Sequence, residues 1–414
     1  MTPSVRTPSR FSAAQGRRWS LLVGAIALIV CTAAAPLEPA AFFRVYLAAY
    51  LFCLGIALGS MVLLFVYHLT GGSWGFVIRR LLEAGMKTLP LLALMFVPIA
   101  GGLRHLYPWA QPDLVAASPK LQYQQFYLAP SYFWIRAAVY FAVWLLIASR
   151  LSCWSREQDR TGDLRLAWKS RKLSGPAAVA YGITLHFAAI DWAMSLQPAF
   201  RSTIWGPLMA SGQLLSAMAF AIIVLARLTA RPPVSEAASR GVRNDLGSLL
   251  LTFLILWAYM AWFQFMLVWI ANMPVDVIWY TPRASVVWKC VMWAIFVLHF
   301  VVPFFLLLLR RVKRSSAAMA WIAGLILLMQ LVFIDYQVLP GGIEQGSAVW
   351  SILLRAGMIV LLPLGLGGLW LAYYLRQLDR QPLLPLHDDN RDAALRLVQL
   401  DNETARQEAI AYGQ

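Results

Sequence analysis

Two ionisable residues stand in one apolar segment of the chain, where they could transfer protons. The segment Tyr181–Gly206 reads YGITLHFAAIDWAMSLQPAFRSTIWG and carries His186 and Asp191 in a stretch apolar enough to cross a membrane. An ionisable side chain inside a membrane helix costs roughly 2.5–3.5 kcal/mol on insertion scales, so such a residue is rarely without a role. We therefore take His186 and Asp191 as candidate catalytic residues.

The two residues do not form one pair on a continuous helix. At about 100° per residue, His186 points about 140° away from Asp191 and serves a different interface. Asp191 instead continues a narrow stripe of small and polar side chains formed by Thr184, Ala188 and Ser195. A simpler interpretation stays open, in which Asp191 caps or cross-links helices and His186 fills a packing position.

Four other ionisable residues in apolar segments fall toward the same predicted side of the membrane. Arg136, Lys289, Asp335 and Arg355 each lie within about two helical turns of the outer end of a predicted span. Together with Asp191 they make three cations and two carboxylates, and mutual pairing is their least costly arrangement. This pattern predicts a polar pocket near the outer face that binds an amphipathic molecule and exchanges protons. The alternative is a set of ion pairs that only hold helices together.

Neutral residues complete this candidate pocket, and a second set predicts a proton path. The side chains expected to surround the charges and to contact a ligand are Tyr140, Trp192 and Gln264. Asp335, together with His299 near the middle of its span, is the candidate proton path, although no regular ladder of acidic residues and histidines reaches the other side of the membrane.

Composition excludes a soluble globular protein and several cofactor classes. The 414 residues are 60% hydrophobic and 13% charged, whereas soluble domains average about 25% charged residues. The net charge of +16 is explained by basic cytoplasmic loops, so no nucleic-acid partner is expected. The four cysteines lack the spacing of an iron–sulfur or haem-attachment motif, and no metal site is expected. Haem ligands on separate helices stay open at this point.

Hydropathy predicts an all-α polytopic membrane protein with about ten transmembrane helices. Each predicted span is long and apolar enough for a hydrocarbon core of roughly 30 Å. The ten windows are Trp19–Ala35, Arg44–Leu69, Thr88–Leu103, Tyr132–Leu151, Ala177–Leu196, Ile204–Leu228, Ser248–Ile270, Val286–Leu309, Ala317–Leu339 and Val349–Tyr374. The first is expected to be an uncleaved span. Gly55, Gly59 and Ser60 predict close helix packing in the second.

The distribution of Lys and Arg predicts the orientation. With the N-terminus inside, cytoplasmic segments hold 27 of the 35 basic residues and external segments hold five, so both termini are expected in the cytoplasm. The chain then divides into a cytoplasmic arm (1–18), a ten-helix transmembrane domain (19–375) and a cytoplasmic tail (376–414). The loop Ser152–Gly175 is expected to be a solvated connector. The tail is expected to fray or to dock a partner, with a short amphipathic helix near Asp389–Ala411.

Several short motifs occur in order along nearly the whole chain. They are Tyr67-His68-Leu69-Thr70-Gly71-Gly72-x-Trp74-Gly75, Arg79-Arg80-x-Leu82-Glu83-Ala84, Leu106-Tyr107-Pro108-Trp109, Asp191-Trp192-x-Met194-Ser195-Leu196-x-Pro198, Ser202-Thr203-x-x-Gly206, Trp269-x-Ala271-Asn272-x-Pro274, Trp279-Tyr280, Pro303-Phe304-Phe305 and Asp335-Tyr336-x-x-x-Pro340. Together they resemble the NrfD/polysulfide-reductase-type membrane subunits. More narrowly, the chain resembles the second quinone-binding-type membrane protein of bacterial alternative complex III, a quinol:cytochrome c oxidoreductase.

The resemblance implies a fold, a site and partners. The fold would be two four-helix bundles and a flanking helix pair in the bacterial cytoplasmic (inner) membrane. A menaquinone or ubiquinone would bind near the periplasmic face, while the chain itself would hold no haem, metal or iron–sulfur cluster. Asp191 and its neighbours would take protons from the quinol. The partners would be a paralogous membrane subunit, a periplasmic iron–sulfur subunit, haem c subunits and a terminal oxidase.

The residues leave two other functions open. In one, the chain is a structural subunit whose buried ion pairs only hold the assembly together. In the other it is a solute transporter, although the sequence shows no convincing internal repeat of the kind that such folds often carry.

Overall fold

The computed structural model describes residues 13–229, 232–341 and 349–388, together with parts of 390–407. All regular structure in these residues is helical, and ten stretches are long and apolar enough to cross a membrane. The chain is therefore an all-helical, multi-pass membrane protein, as predicted. Most of the helix predicted near Asp389–Ala411 lies outside the described residues.

Nineteen helices are described. Their bounds are α1 Ala14–Ala34, α2 Pro39–Thr70, α3 Ser73–Met86, α4 Leu89–Met95, α5 Val97–Gly101, α6 Leu103–Leu106, α7 Pro112–Ala117, α8 Pro119–Leu128, α9 Pro130–Thr161, α10 Arg165–Trp192, α11 Trp205–Leu228, α12 Val234–Ala237, α13 Arg240–Ala271, α14 Pro274–Val277, α15 Val286–Ala294, α16 Val302–Leu308, α17 Arg310–Arg314, α18 Ser316–Val338 and α19 Val349–Asp379. A π-helical segment, Ile295–Val301, joins α15 to α16.

Local sequence explains where many helices begin and end. Proline occupies the first turn of α2, α8 and α9, where its missing N–H costs no helical hydrogen bond. Serine caps α8, α13, α15 and α18 by accepting a hydrogen bond from a first-turn N–H. Gly162 ends α9 in the left-handed region, at φ 71°, which favours glycine.

The long helices pack in two groups and one pair. Helices α2 to α5, α9 and α10 contact one another, and α11 to α18 form a second group around α11, α13 and α18. The two groups meet mainly where α2 lies against α11, and α1 packs along α19. A Cβ on Gly59 would lie 2.8 Å from the Ala217 Cβ, so the close packing predicted for this glycine is confirmed.

Two loops differ from their predicted form. The segment Ser152–Gly175 is mostly helical, because α9 continues to Thr161 and α10 starts at Arg165, although most of its charged side chains are exposed, as predicted for a solvated connector. The chain after α19 does not fray at once, because Asp388 is buried against Arg79. We call the bundle end that contains residues 102–131 and 193–204 the Asp191 end, and the end that contains 70–80 and 380–388 the Arg79 end.

Candidate functional site

Asp191 is held by two side chains of α9. Its carboxylate accepts hydrogen bonds from Arg136 Nε and Nη2 at 2.8 and 2.9 Å and from the Tyr140 hydroxyl at 2.8 Å. Arg136 and Tyr140 are one turn apart, which brings both to the face that meets α10. Asp191 itself is 0% exposed. These three residues, all predicted to belong to one polar site, do lie in contact, but the carboxylate has no open face.

The stripe that contains Asp191 faces α9 over two turns. Trp144 of α9 donates its indole N–H to the Thr184 hydroxyl at 2.9 Å, and the Ser195 hydroxyl donates to the Asp191 carbonyl. This confirms the orientation inferred from helical geometry. His186, about 140° away, instead lies against Gly206 at the start of α11.

Trp192 belongs to the protein interior. It is 1% exposed and packs among aromatic rings that include Phe96 and Phe141. The Tyr107 hydroxyl donates a hydrogen bond to the backbone carbonyl of Trp192 at 2.8 Å. Burial, and then the nearby Asp191 carboxylate, raise the pKa of Tyr107, so that its hydroxyl stays a donor. Trp192 was predicted to contact a ligand. Its ring is instead packed in the protein interior, where it helps to hold the neighbouring Asp191 in place.

A cavity of about 740 Å³ lies beside the ion pair at the Asp191 end. We call it the Tyr127 cavity. Its walls come from α8, α10, α13 and the 198–203 loop, and the polar or charged side chains among them are those of Tyr123, Gln124, Tyr127, His186, Ser195, Arg201, Ser202, Thr203, Gln264 and Asp276. The volume falls within the roughly 300–1,000 Å³ of small-molecule sites. Gln264 accepts a hydrogen bond from the Ser202 hydroxyl in this wall.

His186 lies between the cavity and a groove on the outer surface of the helices. It lines the Tyr127 cavity and also an apolar groove of about 410 Å³ between α10 and α11. Its imidazole is half-buried. Because an imidazole can both accept and donate a proton, this residue gives the cavity a group capable of acid–base chemistry.

Tyr127 connects the cavity to the buried ion pair. Its ring lines the cavity and lies 3.9 Å from the Arg136 guanidinium carbon, and its carbonyl accepts from Arg136 Nη1 at 2.8 Å. Arg136 therefore fixes this wall of the cavity while also holding Asp191. Sequence reasoning missed Tyr127, because a tyrosine in an external segment is common at membrane interfaces.

The other predicted charges do not join Asp191, so the prediction of one five-charge cluster is wrong. Arg355 pairs with Glu38, at 3.1 Å. The Ser351 hydroxyl and then Arg355 lower the pKa of Glu38. Lys289 is exposed on the surface of α15. Glu38 was overlooked because it falls in the turn between two hydropathy windows.

The two residues of the predicted proton path are buried but are not connected to each other by hydrogen bonds. Among the described residues, neither Asp335 Oδ1 nor either ring nitrogen of His299 has a hydrogen-bond partner. His299 is 0% exposed, and the centroid of its ring lies 4.0 Å from the centroid of the Trp257 ring. The path therefore stays a prediction that no chain of contacts within the described residues supports.

Two arginines cap the C-terminal end of α18. Arg283 is 4% exposed and donates to the carbonyls of Tyr336 and Gln337, at 2.9 and 2.7 Å. Arg44 donates to the Pro340 carbonyl at 3.3 Å. Cations are favourable at a helix C-terminus, where carbonyls lack partners.

A buried charge network at the Arg79 end was also missed. Glu83 accepts from Arg79 at 2.9 Å and from Arg80 at 2.7 Å, and Arg79 further donates to Asp388 at 2.6 Å. Arg80 also pairs with Asp159. The spacing of Arg79, Arg80 and Glu83 on one helix is a signal that could have revealed it.

Comparison with known proteins adds no family assignment. No family model matches the chain, and no curated protein matches it significantly. Within the described residues no three His, Cys, Asp or Glu side chains converge as metal ligands.

Proposed function

We propose that this chain is a membrane subunit of a bacterial respiratory quinol:electron-acceptor oxidoreductase, with a quinone-type molecule in the Tyr127 cavity. The motifs that resemble NrfD-type subunits suggest this class. The observation that carries the proposal is a ligand-sized cavity with His186 in its wall and a rigid Arg136–Asp191 pair behind it. The positive-inside distribution supports cytoplasmic termini and a periplasmic Asp191 end.

The residues fit an amphipathic aromatic ligand. Apolar side chains such as Ile190 and Leu267 line the same cavity as His186 and Ser202, so a ring and its polar substituents would both find partners. A quinol supplies two electrons and two protons when bound. In the proposal His186 accepts one of these protons at a ring nitrogen, as a general base, and the other leaves to water on the side of the cavity where Tyr123 and Phe126 are exposed. Asp191 has no open face, so its role is to hold Arg136 and, through it, Tyr127.

Electron acceptors belong to neighbouring subunits in this proposal. A periplasmic iron–sulfur subunit and haem c proteins at the Asp191 end would take the electrons, and a paralogous membrane subunit and a terminal oxidase complete the assembly. The pairing of α1 with α19 beside two helical groups supports the NrfD-like arrangement.

Replacing His186 tests the proposal directly. In the purified complex, His186→Gln should lower the turnover number for quinol-dependent reduction of the acceptor by about 100-fold, because a general base contributes about 10²–10⁴-fold. The KM should change little, since glutamine keeps a hydrogen-bonding group. His105→Gln is the matched control, because His105 is an exposed histidine at the same end and does not line the cavity. Unchanged turnover per assembled His186→Gln complex would contradict the proposal.

A purely structural role is the second candidate. The observation in its favour is that Asp191 is fully buried and accepts three hydrogen bonds, which is also how an ion pair that only joins helices is arranged. In that case Asp191→Asn and His186→Gln would both lower the yield of assembled complex. The complexes that form would work at the normal rate.

A further inference from the structure

A second cavity opens on the opposite side of Gln264, between α11, α13, α15 and α18. It has a volume of about 610 Å³, and we call it the aromatic groove. Of the twenty described side chains that line it, twelve are aromatic and none is charged. Trp262 and Trp293 at its mouth are 62% and 60% exposed, so the groove opens sideways toward the surrounding hydrocarbon.

Three side chains that line this groove have buried polar atoms without a hydrogen-bond partner in the described part of the chain, and Gln337 is the only one of them with two such atoms; the other two are the indole N–H groups of Trp205 and Trp257. Gln337, in the last turn of α18, is 4% exposed, and neither its amide oxygen nor its amide nitrogen has a hydrogen-bond partner there. Leaving a buried polar group unsatisfied is unfavourable. A bound carbonyl oxygen could accept a hydrogen bond from the Gln337 amide nitrogen, and a bound hydroxyl could instead donate one to its amide oxygen, so that either group would give this side chain a partner.

The dimensions of the groove match a single lipid tail. Its wall on α13 runs from Ile255 to Phe265, which is about 15 Å at 1.5 Å per residue. This is half of a hydrocarbon core of roughly 30 Å. Gln337 lies near the Asp191 end of its helix, whereas Phe300 and Phe333 lie deeper. A polar head at Gln337 would therefore place its chain toward the middle of the membrane.

The wall formed by residues 295–301 is π-helical. Single π-helical turns within α-helices occur frequently at functional sites. Ile295, Phe296 and Phe300 of this segment line the groove. The irregular wall and the unpartnered amide are independent observations, and both point to a ligand.

We propose that the aromatic groove binds an uncharged lipid with one hydrocarbon chain, whose carbonyl or hydroxyl oxygen hydrogen-bonds to Gln337. An anionic or zwitterionic head is disfavoured because none of the described side chains that line the groove is charged and the Arg283 guanidinium already donates to backbone carbonyls. A transmembrane helix of another protein satisfies its own backbone groups, so its backbone offers Gln337 no partner. This inference does not depend on the proposed function.

Photo-crosslinking in nanodiscs tests the inference. The purified full-length chain is placed in phosphatidylcholine nanodiscs that contain a monoacylglycerol with a diazirine in its acyl chain. Mass spectrometry then maps the labelled peptides. We expect concentrated labelling around Trp262 and Trp293. Gln337→Leu should lower that labelling roughly three- to tenfold, the change expected for one neutral hydrogen bond.

Two further variants and a second probe complete the experiment. Gln330→Leu is the matched control, since Gln330 is a buried glutamine on the same helix that does not line the groove. Ala261→Phe should abolish labelling by filling the groove while leaving Gln337 intact. A phosphatidylcholine with the same diazirine chain should label the groove no more than the remaining lipid-facing surface.

Three results would overturn the inference. The first is equal labelling of the groove by the two probes, and the second is labelling unaffected by Gln337→Leu. The third is a groove that neither probe labels, as expected if a helix of another protein covers it. A thermal unfolding curve for each variant shows that the comparison is made on folded protein.

Discussion

Asp191 and Arg136 show how a buried charge is accommodated in this chain. The guanidinium binds the carboxylate with two parallel hydrogen bonds and Tyr140 supplies a third. Such bidentate pairs fix geometry as well as charge. Because Arg136 also contacts the ring and carbonyl of Tyr127, the pair determines where one wall of the cavity lies.

Breaking this pair should destabilise the protein. Asp191→Asn leaves Arg136 largely buried without a counter-charge, and we expect the free energy of unfolding to fall by roughly 3 kcal/mol, as is typical when one partner of a buried pair is removed. The measurement is the unfolding midpoint of the purified chain. Asp113→Asn, at an exposed carboxylate of the same end, is the control.

A double variant separates charge from packing. Replacing both partners, with Arg136→Met and Asp191→Leu, should recover much of the lost stability, because apolar pairs of similar volume often replace buried ion pairs at little cost. A double variant as unstable as Asp191→Asn alone would show that the hydrogen-bond geometry, and not an unpaired charge, is the main contribution.

The sequence predicted that the buried charges would pair, but not which residues would be partners. A cation and a carboxylate in neighbouring apolar spans must compensate each other, and the shared face of Arg136 and Tyr140 follows from helical periodicity. Periodicity does not tell which of several cations reaches Asp191. Arg355 finds Glu38 instead, and that choice depends on how α1 and α19 pack.

At the scale of elements, the segment after α19 acts as a strap across the Arg79 end. Asp388 accepts from Arg79 and from the Tyr67 hydroxyl, at 2.6 and 2.7 Å. Gln381 donates to the Arg80 carbonyl and accepts from Lys87. Composition could not reveal this strap, because a polar segment with prolines is also typical of a frayed terminus.

The strap should tolerate a wide pH range. Burial raises the pKa of Asp388, but Arg79 and Tyr67 outweigh this and bring it below its ordinary value. A carboxyl with a depressed folded-state pKa stabilises the fold above its unfolded value of about 3.9, and this stabilisation is lost as the pH falls through the lower folded value. Docking should therefore weaken only below about pH 4.

Hydrogen exchange of the amides in residues 381–388, corrected for intrinsic rates, measures this docking. Asp388→Asn should make their exchange faster at neutral pH, because the amide removes the charge that pairs with Arg79. Asp392→Asn, at an exposed residue of the same segment, should leave it unchanged. Release of the wild-type strap at pH 6 would contradict the prediction.

At the scale of the whole molecule, the two helical groups are joined where small residues let α2 and α11 approach. A Cβ on Gly59 would come within 2.6 Å of the Gln213 carbonyl carbon. Hydropathy predicted the ten spans and their order well, because length and apolarity determine them. It could not predict which spans contact each other, since lipid-facing and buried apolar residues have the same composition.

Gly59→Ala should push α2 and α11 apart. Overpacking a close interface costs roughly 1–3 kcal/mol, so we expect a lower unfolding midpoint and less folded protein after extraction. Gly324→Ala is the matched control, because a Cβ at Gly324 meets nothing within 4 Å. Equal midpoints for the two variants would show that α2 and α11 can move apart without loss.

The separation of Arg79 and Asp388 along the chain also determines when the strap can form during biosynthesis. Arg79 and Asp388 lie 309 positions apart, so the ribosome needs roughly 15–60 s at 5–20 residues per second to supply the second after the first. Throughout that interval Arg79, Arg80 and Glu83 have been synthesised, but the ion pair between Arg79 and Asp388 cannot yet form. The insertion machinery therefore has to release this region in an unfinished state, and the last step of maturation falls after translation has passed the tenth span.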